Sequence, residues 1–252
     1  MAKGNQVGKT LLVAGLLCFV CSIIVSITVV TLKPQQAKNA EIDFKKNVLN
    51  AAGMLEPGDD VEEKFKQIQT VMVDIESGTI TDAVNPKNFD QKSAAANPNY
   101  SVKIPADKDV AGLNMRSKYA KVFLVKDGDE VKKIILPISS MGLWARMYGF
   151  MALSGDTNTV EGFAYYQHGE TPGLGAEVDN PKWRKQWVGK EIYNSDWEPV
   201  AGVVKQVNKP DHQVDALSGA TITSNGVDTS LKYWFGEHGY KKFLANVRNG
   251  GL

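Results

Sequence analysis

Cysteine is nearly missing from this 252-residue chain: only Cys18 and Cys21 occur, both inside an apolar stretch. Everything beyond that stretch therefore has no disulfide, thiolate nucleophile or sulfur-ligated metal to work with. A Cys-x-x-Cys pair can be half of a metal or redox site. Here no further cysteine completes it and the neighbours are apolar, so both read as small residues of an apolar helix. Excess charge is missing too. The 29 basic residues stand against 28 acidic ones, for a net +1, which gives no electrostatic case for nucleic acid. Histidine is scarce: His168, His212 and His238 are too scattered to read as metal ligands, and no Ser–His–Asp order or paired-carboxylate pattern stands out. Neither a GxGxxG run nor a P-loop appears, which argues against nucleotide binding in those two modes. There is also no internal repeat. The composition, 43% hydrophobic and 23% charged, is that of a chain that builds a core.

What is present begins with Thr10–Leu32, a run without a single charge. As a helix it reaches roughly 35 Å, enough for a bilayer core. A cleaved signal peptide has a much shorter apolar core, of about 7–15 residues, so a retained anchor is the better reading. Residues 1–9 then form a short N-terminal tail, 10–32 a transmembrane helix and 33–252 a globular domain. Lys3 and Lys9 on one side are balanced by Lys33 and Lys38 on the other, so charge alone leaves orientation open. Translocation of the long C-terminal domain, with the tail left in the cytoplasm, is the simpler topology. Gly15, Ser22 and Ser26 supply small residues for packing against other membrane helices.

Pro34 to Lys38 reads as a linker. Helical spacing follows over Ala40–Ala52, ending at Gly53, and again over Val61–Thr70. Strands are expected at Val71–Ile75 and Gly78–Thr81, and a loop over Asn85–Pro98. Tyr119–Lys126 and Glu130–Ile138 flank Asp127-Gly128, a hairpin signal. Phe150–Leu153, Val160–His168 and Trp197–Val207 read as further strands. Asn180 before Pro181 reads as the cap of a short helix, and two helices close the chain. Strands gathered in the middle with helices at both ends indicate an α+β fold with central antiparallel strands and flanking helices.

Three stretches carry the chemistry. In Asp215-Ala-Leu-Ser218-Gly219-Ala220-Thr221-Ile-Thr223, a small-residue turn delivers two hydroxyls to the start of a helix. That helix is expected from about Ser224, capped by Ser224 or Thr223 and stopped at Gly236. A helix N-terminus favours an anion beside Thr221. In Glu170-Thr171-Pro172-Gly173-Leu174-Gly175, proline fixes backbone while the glycines allow close approach. Gly142-Leu143-Trp144 adds flat apolar surface, which by itself serves a core as well as a ligand.

Taken bare, each stretch is an ordinary turn or loop. Together, in this order, they resemble the FMN-binding domain family, whose attachment motif Asp-x-x-Ser-Gly-Ala-Thr is matched at Asp215, Ser218, Gly219, Ala220 and Thr221. The second motif is matched at Glu170, Thr171, Gly173, Leu174 and Gly175. The resemblance implies covalent FMN joined through a phosphoester to Thr221 by a flavin transferase, with Asp215 part of the sequence the transferase recognises and Thr223 the rival acceptor. It also implies that Glu170, Thr171, Leu174, Leu143 and Trp144 line the ring. Anchor, domain and motifs together are similar to the family of C subunits of Na⁺-translocating NADH:quinone reductases. That similarity implies a single-pass protein of the bacterial inner membrane, a periplasmic flavin domain, and partners among the complex's membrane and flavin or iron–sulfur subunits. The G subunit of the related Rnf electron-transport complex, or a non-redox anchored assembly module, are the alternatives.

Overall fold

The structure, a computed structural model, describes residues 2–251. Two units separate, an N-terminal one ending at Phe44 and a second from Lys45 to Leu252. Helix α1 (Ala2–Ala51) supplies all of the first unit's regular structure. Its apolar residues from Val7 to Leu32 are exposed, and it is long and apolar enough to cross a membrane. Residues 34–38 are helical and form no linker. Pro34 lacks an N–H and crowds the carbonyl four residues back, yet the helix runs on through the Gln, Ala and Lys that follow, which are good helix formers.

Within the second unit the end of α1 buries Val48, Leu49 and Ala51. Next come α2 (Val61–Phe65), β1 (Ile68–Asp74), β2 (Thr79–Ile80), α3 (Gln91–Ala96), β3 (Ser101–Lys103) and β4 (Met115–Ser117). The long strands are β5 (Tyr119–Asp127), β6 (Glu130–Met141), β7 (Arg146–Ser154) and β8 (Val160–Gln167). A 3-10 turn (Gly175–Asp179), α4 (Pro181–Lys185), β9 (Gly202–Val204), β10 (Gln213–Asp215), α5 (Thr221–Trp234) and α6 (Lys241–Arg248) complete the chain. The main sheet has six strands in the order β2-β1-β5-β6-β7-β8, every pair antiparallel. The α+β architecture with flanking helices is therefore what forms.

Period-two alternation divides the side chains of β6 between two layers. Ile134, Leu136 and Ile138 join one core with Val227, Leu231 and Trp234 of α5 and Phe243 and Leu244 of α6. On the other side Phe123 meets Phe65 and Phe150 edge to face, each at 6.0 Å. A Cβ on Gly162 would overlap the Ala51 carbonyl, so β8 accepts the end of α1 only because it carries a glycine there.

Asn180 caps α4 through Lys182 N–H at 2.9 Å, with Pro181 at the first position as expected. The β5–β6 hairpin turns at Gly128, which sits at φ +60°. Three further expectations need correction. The helix from Val61 ends at Phe65, because Ile68 is buried and pairs with Val125 as β1 begins. The 85–98 stretch contains α3, capped by Asp90 to Ser93 N–H at 2.7 Å, with Ala94 buried beside Met72 and Phe89. Of the 197–207 strand only β9 forms, since Trp197 lies at φ +59°, outside strand geometry.

Candidate functional site

Three connections meet at one end of α5. The β6–β7 hairpin closes through residues 142–145, with Gly142 N–H donating to the Ala145 carbonyl at 2.9 Å. Its position is set by α5: a Cβ on Gly226 would overlap the Met141 carbonyl oxygen, so the helix lies directly against the end of β6. The second connection, leaving β8, carries Glu170 to Gly175. The third is the turn from β10 into α5, in which Ala220 N–H donates to the Leu217 carbonyl at 3.2 Å and Gly219 takes φ +71°.

Helix α5 begins at Thr221, three residues earlier than its sequence pattern indicates, and no side chain caps it. Neither hydroxyl expected to cap is free to do so. The Ser224 hydroxyl accepts from Leu217 N–H at 3.0 Å, pinning the turn. The Thr223 hydroxyl donates to Glu170 Oε2. Thr223 is buried and Thr221 is exposed, so the two threonines of the motif face different surroundings. The first-turn N–H groups of α5 are left for solvent or an anion.

Glu170 is only 6% exposed. Besides Thr223, its carboxylate accepts from Trp144 N–H at 3.2 Å, which ties the hairpin loop to the motif loop. Trp144 Nε1 donates to Thr171 Oγ1 at 3.1 Å and strengthens that tie. A Cβ on Gly175 would lie 2.6 Å from Thr223 Oγ1 and would overlap Glu170 Oε2, and one on Gly142 would lie 2.5 Å from Glu170 Oε1. Both glycines therefore make room for the buried carboxylate. Gly173, at φ +76°, is needed for its backbone conformation. The Glu170 N–H donates to His168 Nδ1 at 3.2 Å, so His168 carries its proton on Nε2 and gives it to Asp179 at 2.7 Å.

A cavity of about 240 Å³ opens between these elements. It is lined by Leu143, Leu174 and Ile222 on its apolar side, by Glu170, Thr171, Thr221 and Thr223 on its polar side, and by the backbone of Gly175, Gly219 and Ala220. Sequence reasoning missed Ile222; the signal was an apolar residue between two hydroxyls at a helix start, and it is 58% exposed. Asp215, Ser218, Gly173 and Trp144 are not among the lining residues. The backbone of Asp215 is clamped, its N–H by Gln186 Oε1 at 3.0 Å and its carbonyl by Trp183 Nε1 at 2.8 Å, while its side chain is exposed.

Comparison with known proteins fits this arrangement. The FMN-binding domain family matches residues 142–236, a span holding all three connections. Over 259 residues the chain is 45% identical to the C subunit of the Na(+)-translocating NADH-quinone reductase of Pseudomonas aeruginosa, covering 99% of each. The chain belongs to the family of C subunits of Na(+)-translocating NADH-quinone reductases. The corresponding C subunit of Vibrio vulnificus is likewise 45% identical, over the full length of both chains. The crystal structure of Shewanella oneidensis NqrC superposes with a TM-score of 0.75 at 31% identity, covering 83% of this chain and 99% of that one. Full-length agreement with these C subunits favours this family over that of the Rnf G subunit. As a member of that family, the chain is one subunit of an oxidoreductase complex and carries an FMN-binding domain.

Proposed function

We propose that the chain carries FMN as a phosphoester on Thr221 and relays electrons between partner subunits of the reductase, from a domain anchored in the bacterial inner membrane. The observation that carries this reading is the pairing of an exposed Thr221 hydroxyl with an uncapped helix start at the mouth of a cavity that is apolar on one side and polar on the other. Those residues fit the group. The N–H groups of α5 and the helix dipole favour a phosphate at Thr221. Leu143, Leu174 and Ile222 offer flat apolar contact to a ring, and Thr171 and the Glu170–Thr223 pair offer polar groups to its edge. Bound FMN supplies the capacity to take up and release electrons.

Thr221 holds the cofactor on the protein. The Glu170 carboxylate keeps both loops in place, and Asp215 presents an exposed carboxylate to the flavin transferase. Residues 10–32 serve as the anchor, 1–9 remain cytoplasmic and 33–252 form the periplasmic domain. The test is to assemble the reductase with wild-type or Thr221→Ala chain and follow NADH-driven quinone reduction. Assembly should be equal and turnover lost in the variant; equal turnover sinks the relay.

A further inference from the structure

The opposite end of α5 holds a second depression, roughly 18 Å along the helix from Thr221 by the rise between positions 221 and 233. Its volume is about 300 Å³, and its walls include Arg116 of β4, Lys103 of β3, Tyr233 of α5, His238 and Lys242, together with Glu76 and Glu237. By volume it has room for roughly ten waters.

Two of its groups lack partners of the kind their burial demands. Arg116 is only 7% exposed, yet among the described residues its guanidinium makes one hydrogen bond of good geometry, to the Ser117 carbonyl at 2.9 Å, and otherwise lies beside the Tyr233 hydroxyl. Among the described residues no carboxylate lies within ion-pair distance of it. A buried guanidinium without a counter-charge is costly to fold around. The Tyr233 hydroxyl is buried beside the Arg116 side chain and makes no hydrogen bond of good geometry. Burial pushes the Tyr233 phenol up from its ordinary range, against the opposing pull of the neighbouring Arg116 charge, so it stays protonated and a donor.

The nearby carboxylates are engaged elsewhere. Glu237 pairs with Lys241 at 2.7 Å, and Asp109 accepts from Leu113 N–H at 2.8 Å and Asn114 N–H at 2.6 Å. Lys103, Arg116 and Lys242 thus face Glu76 and Glu237, and the excess is still positive. The frame is stiff. Lys242 Nζ donates to the Glu76 carbonyl at 2.9 Å, Asn246 Nδ2 to the Gly78 carbonyl at 2.8 Å, and Tyr240 to the Pro137 carbonyl at 2.6 Å.

We propose that this pocket is a binding site for a phosphate-class oxyanion, with the Arg116 guanidinium and the Tyr233 hydroxyl at its floor and Lys103 and Lys242 at its rim. Phosphate fits because it brings nearly two negative charges and several acceptor oxygens to a set made mostly of donors, whereas a carboxylate brings one charge. The group can arrive as the free ion or as the headgroup of a phospholipid.

The test uses the detergent-solubilised full chain and titration calorimetry with three probes: inorganic phosphate, dihexanoyl phosphatidic acid and acetate. Saturable one-to-one phosphate binding is expected, with acetate roughly tenfold weaker or worse. Lys103→Ala/Lys242→Ala, both at exposed positions, should weaken phosphate by about tenfold, Tyr233→Phe by about threefold, and Lys132→Ala on the distant hairpin not at all. The rim pair keeps the test valid if Arg116→Gln fails to fold. Phosphatidic acid binding at least about tenfold tighter than phosphate assigns a lipid source, and equal affinities assign the free ion. Absence of saturable phosphate binding, preference for acetate, or an unchanged affinity in the rim double variant overturns the site.

Discussion

Thr223→Val removes one hydroxyl and changes almost nothing in shape, which makes it a direct probe of the buried carboxylate that joins the loops. Glu170 is 6% exposed and Thr223 2%. Of the two donors facing that carboxylate, the Trp144 N–H is long at 3.2 Å and the Thr223 hydroxyl is the closer. Hydrogen bonds to charged groups contribute about 1.5–3 kcal/mol, and a buried charge stripped of its main donor loses the upper part of that range. We expect Thr223→Val to destabilise the domain by about 2 kcal/mol, lowering Tm by about 4–8 °C for a unit of this size. The assay is thermal unfolding of the full chain in detergent, followed by near-UV circular dichroism. A double-mutant cycle with Glu170→Leu isolates the pair: the double variant should be less destabilised than the summed singles by at least about 1 kcal/mol. A Tm drop below about 1 °C, or strict additivity, refutes the view that this pair holds the loops together.

Thr221→Ala touches an exposed hydroxyl that makes no hydrogen bond among the described residues, so the same melting experiment should move by less than about 1 °C. Gly226→Ala places a methyl into the Met141 carbonyl, and a loss of about 3 kcal/mol or more is expected in urea titration. At alkaline pH, burial holds the phenols of Tyr165, Tyr193 and Tyr240 well above the ordinary tyrosine range. Their folded forms stay protonated where the unfolded chain ionises. The stability they contribute is therefore complete below about pH 10 and falls above it, each group adding up to about 1.4 kcal/mol per pH unit. Phenolate absorbance near 295 nm should then rise together with loss of tertiary structure; ionisation of all three in the folded protein would contradict the assignment.

The sheet could be read from the chain because its central strands are apolar runs rich in β-branched residues and its main turn has a glycine where a positive φ is needed. Ile134, Leu136 and Ile138 fall on one face, and Gly128 turns the hairpin. Legibility failed where tertiary contacts overrode local pattern. Ile68 sits in a helix-like stretch yet pairs with Val125, and α3 forms because Ala94 finds Met72 and Phe89. At the candidate site the two signature motifs were recognisable as strings, and the cavity brings together Glu170, Thr171, Leu174, Gly175, Thr221 and Thr223 from both. The division of labour between the two threonines was not legible. Both look like hydroxyls at a helix start, and only the fold aims Thr223 inward at Glu170 while leaving Thr221 exposed. The role of Gly175 was hidden for the same reason, since the side chain it accommodates lies five positions back in the sequence.

The central claim is that Thr221, and not its neighbour two residues on, carries the flavin. The direct measurement is flavin fluorescence in a denaturing gel of wild type, Thr221→Ala and Thr223→Ala, each co-expressed with a flavin transferase, with intact mass recorded on the same samples. The account predicts a fluorescent wild-type band whose added mass is that of FMN less water, a dark Thr221→Ala band and a fluorescent Thr223→Ala band. A dark wild-type band made by a transferase active on another substrate, or fluorescence that survives Thr221→Ala, contradicts it.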